Sequence, residues 1–127
     1  KLVRGISGGE SRRVAIATSL VQLTEPGLLC LDEPTTGLDS AIGNDIVRTI
    51  KGFSNDGWTI ITTIHNPSPL MMDDFDGLVL IVASRMVWFG TYDAHKMMAD
   101  FNAHGFECEH PSLTVEYLVQ VVGGGSG

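Results

Sequence analysis

At 127 residues the chain is long enough for one domain with a core of its own and no longer. Its 43% hydrophobic and 18% charged content excludes intrinsic disorder. A net charge of −7 excludes the broad basic face that nucleic acid requires, but not a nucleotide, because backbone amides can hold phosphates without net positive charge.

The opening Lys1-Leu2-Val3-Arg4 has no signal-peptide pattern and no initiator Met, as expected of a piece of a longer chain. A helix is predicted over residues 7 to about 23. Val14, Ala17, Thr18 and Val21 recur at helical spacing on its core-facing side, and Arg12 and Arg13 lie off that side. Ser7 with Glu10 three residues on is a capping-box pattern. After Glu25-Pro26-Gly27, residues 28–31 form a continuous apolar run, expected of a strand covered on both faces, with Cys30 a small core residue inside it.

Asp39 or Ser40 caps a second helix running to about residue 53, with Ile42, Ile46 and Ile50 on its inner side. Residues 58–64 are a β-branched strand, and strand, helix and strand at these lengths predict a βαβ crossover with parallel strands. A short helix lies within residues 67–75. Strands at 77–82 and 85–89 flank a tight Ala83-Ser84 turn. A further helix covers 93 to about 103, residues 105–112 are loop, and a last helix covers 113–122. Trp88, Phe89, Met97 and Met98 read as core. The apolar runs are well short of the roughly 18 to 20 residues that span a bilayer. Two cysteines, Cys30 and Cys108, make no disulfide framework and point to a reducing compartment.

The chemistry concentrates in three places. Ser7-Gly8-Gly9-Glu10 puts two side-chain-free amides and a hydroxyl at a helix start, where the dipole favours an anion. The same residues also serve a plain cap and turn, and Gly5-Ile6-Ser7-Gly8-Gly9 fits the serine-hydrolase elbow. The elbow needs a hydrophobic strand just before the serine and an oxyanion-hole glycine motif upstream, and it leaves Glu33 without a role. Asp32 and Glu33 stand where the apolar run ends, at the edge where open α/β sheets bind ligands. One carboxylate there suits Mg²⁺, and its neighbour can orient or deprotonate an attacking water. His65 closes the second strand, where an imidazole can touch a phosphate oxygen or serve only as a loop histidine. His104, Cys108 and His110 lack the paired spacing of zinc modules.

Together these residues resemble the ATP-binding-cassette ATPases. Ser7-Gly8-Gly9-Glu10 looks like the signature motif, with Glu where many members carry Gln, residues 28–33 like Walker B, Gly37-Leu38-Asp39 like the D-loop, and His65 like the switch histidine. Gly5-Ile6-Ser7-Gly8-Gly9-Glu10, Thr36-Gly37-Leu38-Asp39-Ser40 and Ile64-His65-Asn66-Pro67-Ser68 are similar to the White-type, or G-subfamily, half-transporters, which usually have Gln in place of Asn66. Leu113 and Thr114 depart from the Asn-Pro that the group carries there.

The resemblance implies an α/β fold, the C-terminal half of a P-loop-NTPase-like parallel sheet with flanking helices, over residues 1–122, followed by a flexible Gly/Ser tail at 123–127. It implies that ATP and Mg²⁺ are the cofactors. Ser7, Gly8 and Gly9, with Glu10 in the same motif, would bind the γ-phosphate of ATP held mainly by the opposite subunit, and Asp32 would hold Mg²⁺ through water. Glu33 would be the general base, His65 would contact the γ-phosphate, and Asp39 would couple the two sites. The partners implied are a second nucleotide-binding domain, in a homo- or heterodimer, and a transmembrane domain, with the assembly on the cytosolic face of a membrane and no nucleic acid bound. No Gly-x-x-Gly-x-Gly-Lys-Ser/Thr loop occurs in these residues, so the fragment alone is expected to bind ATP poorly and not to turn it over. The alternatives are a soluble member of the superfamily acting in DNA repair or on ribosomes, and a catalytically dead regulatory half.

Overall fold

The computed structural model describes residues 7–21 and 25–106. It divides into two compact units, residues 1–65 and 66–127, each described by itself below. The predicted final helix, the tail, Cys108 and His110 lie outside the described residues.

The first unit contains α1 (Gly8–Val21), β1 (Leu28–Leu31), α2 (Ser40–Asn55) and β2 (Thr59–Thr62). β1 and β2 pair in parallel, as the βαβ spacing requires, with Leu28 opposite Thr59 and Leu31 opposite Thr62. Asp39 is the residue that caps α2: its Oδ1 accepts the Ala41 and Ile42 N–H groups, both at 3.0 Å. The helix ends at Asn55, one turn's fraction beyond the expected 53, and Asp56-Gly57 closes it with Gly57 at φ 96. Ile46 and Ile50 are buried with Ile16 of α1, and Leu31, Leu38, Ile42, Phe53 and Ile60 pack around them. This cluster is the core of the unit.

Two sequence expectations fail here. The run at Leu28–Leu31 is covered on one face only. Leu29 is buried and Leu31 half-buried, whereas Leu28 is 61% exposed and Cys30 is exposed, so Cys30 is not a core residue. Ile61, 59% exposed, is register partner of Cys30 on the same bare face. The reason is the layer count: among the described residues the isoleucine cluster borne by the helices takes up Leu31 and Ile60, and nothing lies over Leu28, Cys30 and Ile61. On α1, Ile16 makes the core contact, and Val14 at 56% exposure, with Ala17 and Thr18, points away. Ile16 stands about half a turn from Val14, so the packed side of α1 is set by the α2 isoleucines and not by the longer apolar stripe.

The second unit contains α3 (Pro69–Met72), β3 (Gly77–Val82), β4 (Arg85–Thr91) and α4 (Ala94–Ala103). Ser68 caps α3 and Asp93 caps α4, and the Lys96 N–H donated to Asp93 at 3.0 Å holds that carboxyl below its ordinary range. β3 and β4 form an antiparallel hairpin with an irregularity between Leu80 and Ile81. Ala83 and Ser84 turn it at φ 48 and 60, the two left-handed positions that a two-residue hairpin requires. Met72, Leu80, Met97 and Phe101 form the core, with Trp88 and Met98 packed against it. Trp88 also donates its indole N–H to Asp100 at 3.2 Å. Phe89 departs from the core expectation at 73% exposure, because strand alternation puts it with Val79, opposite the face that carries Leu80 and Trp88. Among the described residues no helix is long and apolar enough to cross a membrane.

Ile46 is fully enclosed, so truncating it leaves a cavity where three isoleucines meet. Ile46→Ala is expected to lower the unfolding free energy by about 2–5 kcal/mol, read from the urea midpoint of the chain.

Candidate functional site

The parallel register fixes what stands at the carboxyl edge of the strands. Beyond Leu31 and Thr62 the next pair is Asp32 and Thr63, and the Thr63 N–H still donates to the Leu31 carbonyl at 3.0 Å. Thr63 Oγ1 donates to Asp32 Oδ1 at 2.6 Å. The same oxygen accepts the Glu33 N–H at 2.9 Å. One hydroxyl thus joins both acids to the end of β2.

Glu33 has φ 44, in the left-handed region that costs a non-glycine residue about 1–2 kcal/mol. Its carbonyl accepts the Thr36 N–H at 3.2 Å, and its Oε2 accepts the Thr36 hydroxyl at 2.8 Å. Pro34 beside it is buried, which anchors the turn, and both carboxylates remain exposed.

The start of α1 is a reciprocal box. The Glu10 N–H donates to Ser7 Oγ at 3.2 Å, and the Ser7 N–H donates to Glu10 Oε2 at 2.7 Å. The Ser11 N–H goes to the Ser7 carbonyl at 2.9 Å. Helix geometry then leaves the Gly8 and Gly9 N–H groups without an intrahelical acceptor. The hydrogen bond from the Ser7 N–H, then that with its hydroxyl, holds the Glu10 carboxyl below its ordinary value. Among the described residues the hydrogen bonds of Ser7 are those to Glu10 and Ser11.

A Cβ on Gly8 would come within 3.3 Å of Leu38 Cδ2, so the helix start lies against the Gly37-Leu38-Asp39 turn of the same chain. Gly37 stands at φ 77, where a side chain is disfavoured, and Leu38 is held by its place in the isoleucine cluster. His65 follows two residues after Thr63, exposed and making no hydrogen bond among the described residues. The structure therefore joins Asp32 to Glu33, and Gly8 to the turn before Asp39.

The chemistry of Asp32 suits a hard cation: an exposed carboxylate at a strand end, with one oxygen fixed by Thr63. Among the described residues no group of three or more acids, histidines and cysteines gathers into a metal cage. A single carboxylate with waters and substrate oxygens is the ordinary Mg²⁺ arrangement.

No protein-family model matches the chain. Bovine "Broad substrate specificity ATP-binding cassette transporter ABCG2" is 38% identical over 126 residues, which is 99% of this chain and 19% of that protein. "ABC transporter G family member 1" of Dictyostelium discoideum is 38% identical over 120 residues, 94% of this chain and 15% of its own length. "ABC transporter G family member 11" of Arabidopsis thaliana is 46% identical over 107 residues, 84% of this chain and 14% of that protein. The chain belongs, over these matched residues, to the G subfamily of the ATP-binding cassette. It spans less than a fifth of the length of those relatives.

Among solved structures, a chain from a study of ATP-driven dimerization and DNA-stimulated activation of SMC ATPases aligns at TM-score 0.52 and 18% identity, covering 81% of this chain and 64% of that one. That likeness shows the fold, an ATPase-type α/β arrangement. For this G-subfamily segment, sequence reasoning missed Thr63 and Thr36. A threonine in register with the Walker B-like aspartate, and another three residues after the glutamate, were the available signals.

The Glu10 carboxyl is depressed in the folded chain, so its contribution to the start of α1 is complete above the ordinary value of 4.5 and is lost as pH falls through the lower folded value. The protection of the Ser7 amide, its exchange rate relative to that of an unstructured amide at the same pH, is expected to fall only in that acid window. In Glu10→Gln the loss of protection specific to this window disappears.

Proposed function

We propose that the chain is the C-terminal half of an ATP-hydrolysing domain that drives a G-subfamily membrane transporter. The observation that carries this reading is the pair of hydrogen-bonded acids, Asp32 and Glu33, at the carboxyl end of a parallel strand pair in a chain of this family. Mg²⁺, when bound through Asp32, would offset the charge of the β- and γ-phosphates. Glu33 would hold the attacking water and take its proton on a carboxylate oxygen. Its Oε2 is already committed to Thr36, which leaves Oε1 for the water.

Ser7 Oγ receives the Glu10 N–H on a lone pair, so the hydroxyl hydrogen remains available to a phosphate oxygen. The Gly8 and Gly9 amides add two donors beside it, and the dipole of the 14-residue α1 favours the anion. His65 would add a further contact to the γ-phosphate from the end of the second strand. Asp39, beyond capping α2, sits on the turn that touches the α1 start, which supports a coupling role between paired sites. The partners are a second such domain, in a homo- or heterodimer, whose own phosphate loop completes each site, and a transmembrane domain that receives the work on the cytosolic face.

Two outcomes test this. Glu33→Gln in the full-length protein is expected to lower ATP turnover by about 100-fold or more with ATP still bound, measured by phosphate release and nucleotide affinity. The isolated 127 residues are expected to show no Mg²⁺-dependent phosphate release, because no lysine-bearing glycine loop is among them. Sustained hydrolysis by the isolated chain, or undiminished turnover in Glu33→Gln, would overturn the reading.

A further inference from the structure

We propose that Thr63 and Thr36 are positioning residues of the hydrolytic site, Thr63 for the metal-holding carboxylate and Thr36 for the general base. This rests on the ATPase reading above and adds two residues to it.

The two hydroxyls have different jobs. Thr63 Oγ1 is engaged as donor and as acceptor: it donates to Asp32 Oδ1 at 2.6 Å and accepts the Glu33 N–H at 2.9 Å. The short donor bond to a carboxylate restrains the rotation of that group and engages Oδ1, which leaves Oδ2 as the oxygen for the metal or its water. Among the described residues Thr36 Oγ1 hydrogen-bonds only Glu33, donating to Oε2 at 2.8 Å. It fixes which oxygen of the base is free for water. Each hydroxyl bonds an acid, so each acts through that acid.

Placement explains why threonine suits these positions. Thr63 continues the β2 ladder, where a β-branched side chain has few rotamers and holds its hydroxyl in one direction. Thr36 closes the turn that begins at Glu33, its N–H bound to the Glu33 carbonyl at 3.2 Å, so its backbone is fixed relative to the side chain it holds. The acids and both threonines are exposed or nearly so, and water can satisfy the freed groups when a hydroxyl is removed. Loss of either hydroxyl therefore disturbs orientation far more than folding.

The test uses the full-length protein with Thr63→Val, Thr63→Ser, Thr36→Val and Thr36→Ser, beside Glu33→Gln. Valine keeps the shape and removes the hydroxyl; serine keeps the hydroxyl. Both valine variants are expected to lower kcat by on the order of 10- to 100-fold, with KM for ATP changed by about twofold or less, and both serine variants to restore most of it. The two positions then separate. Thr63→Val is expected to weaken Mn²⁺ binding, titrated by electron paramagnetic resonance with a non-hydrolysable ATP analogue, by about tenfold, whereas Thr36→Val leaves Mn²⁺ binding unchanged. Valine variants with wild-type kcat, serine variants no better than valine, or equal effects of both positions on Mn²⁺ would overturn the inference while Glu33→Gln stays inactive and the ATPase reading stands. Turnover that survives Glu33→Gln overturns the reading and the inference with it.

Discussion

The register between β1 and β2 is the constraint on which the site depends. Side chains alternate along a strand, so a slip of one residue would turn Asp32 and Thr63 to opposite faces and separate the hydroxyl from the carboxylate. The register is held at both ends: the Thr59 N–H reaches the Gly27 carbonyl at 2.9 Å, and the Thr63 N–H reaches Leu31 at 3.0 Å. It is also held from one side by burial. Ile46 and Ile50 of α2 gather Leu31 and Ile60 into the cluster that includes Ile16. Hydrophobic packing several residues away therefore decides where two exposed acids stand. Chemistry at this edge is a consequence of core geometry, since the acids themselves bury nothing.

What was legible in the sequence follows from how local each signal is. The capping box at Ser7 and Glu10, the Asp39 cap and the βαβ crossover depend on residues a few positions apart, or on lengths that admit one connection. Those appear in the structure as expected. Cys30, Val14 and Phe89 failed because burial is a property of what lies above a face, and no residue pattern states that. An apolar run at 28–31 is consistent with two covered faces, but the described layers provide one. Thr63 and Thr36 escaped notice for a different reason. A threonine in a strand is an ordinary β-former and a threonine two residues after proline is an ordinary turn residue; the strand register brings Thr63 to Asp32, and the turn at Glu33 brings Thr36 to Glu33.

The left-handed backbone at Glu33 shows how narrowly the base is held. That conformation costs about 1–2 kcal/mol for a residue with a side chain. Three hydrogen bonds oppose the cost: the Glu33 N–H donates to Thr63 Oγ1, the Thr36 N–H to the Glu33 carbonyl, and the Thr36 hydroxyl to Glu33 Oε2. An exposed bond of this kind contributes roughly 0.5–1.5 kcal/mol net. The three together contribute roughly 1.5–4.5 kcal/mol, of the same order as the strain, and removing one shifts the balance toward it. A buried acid would be fixed by its surroundings. Glu33, exposed, is fixed by two hydroxyls and one turn, so its orientation is the property most sensitive to losing any of them.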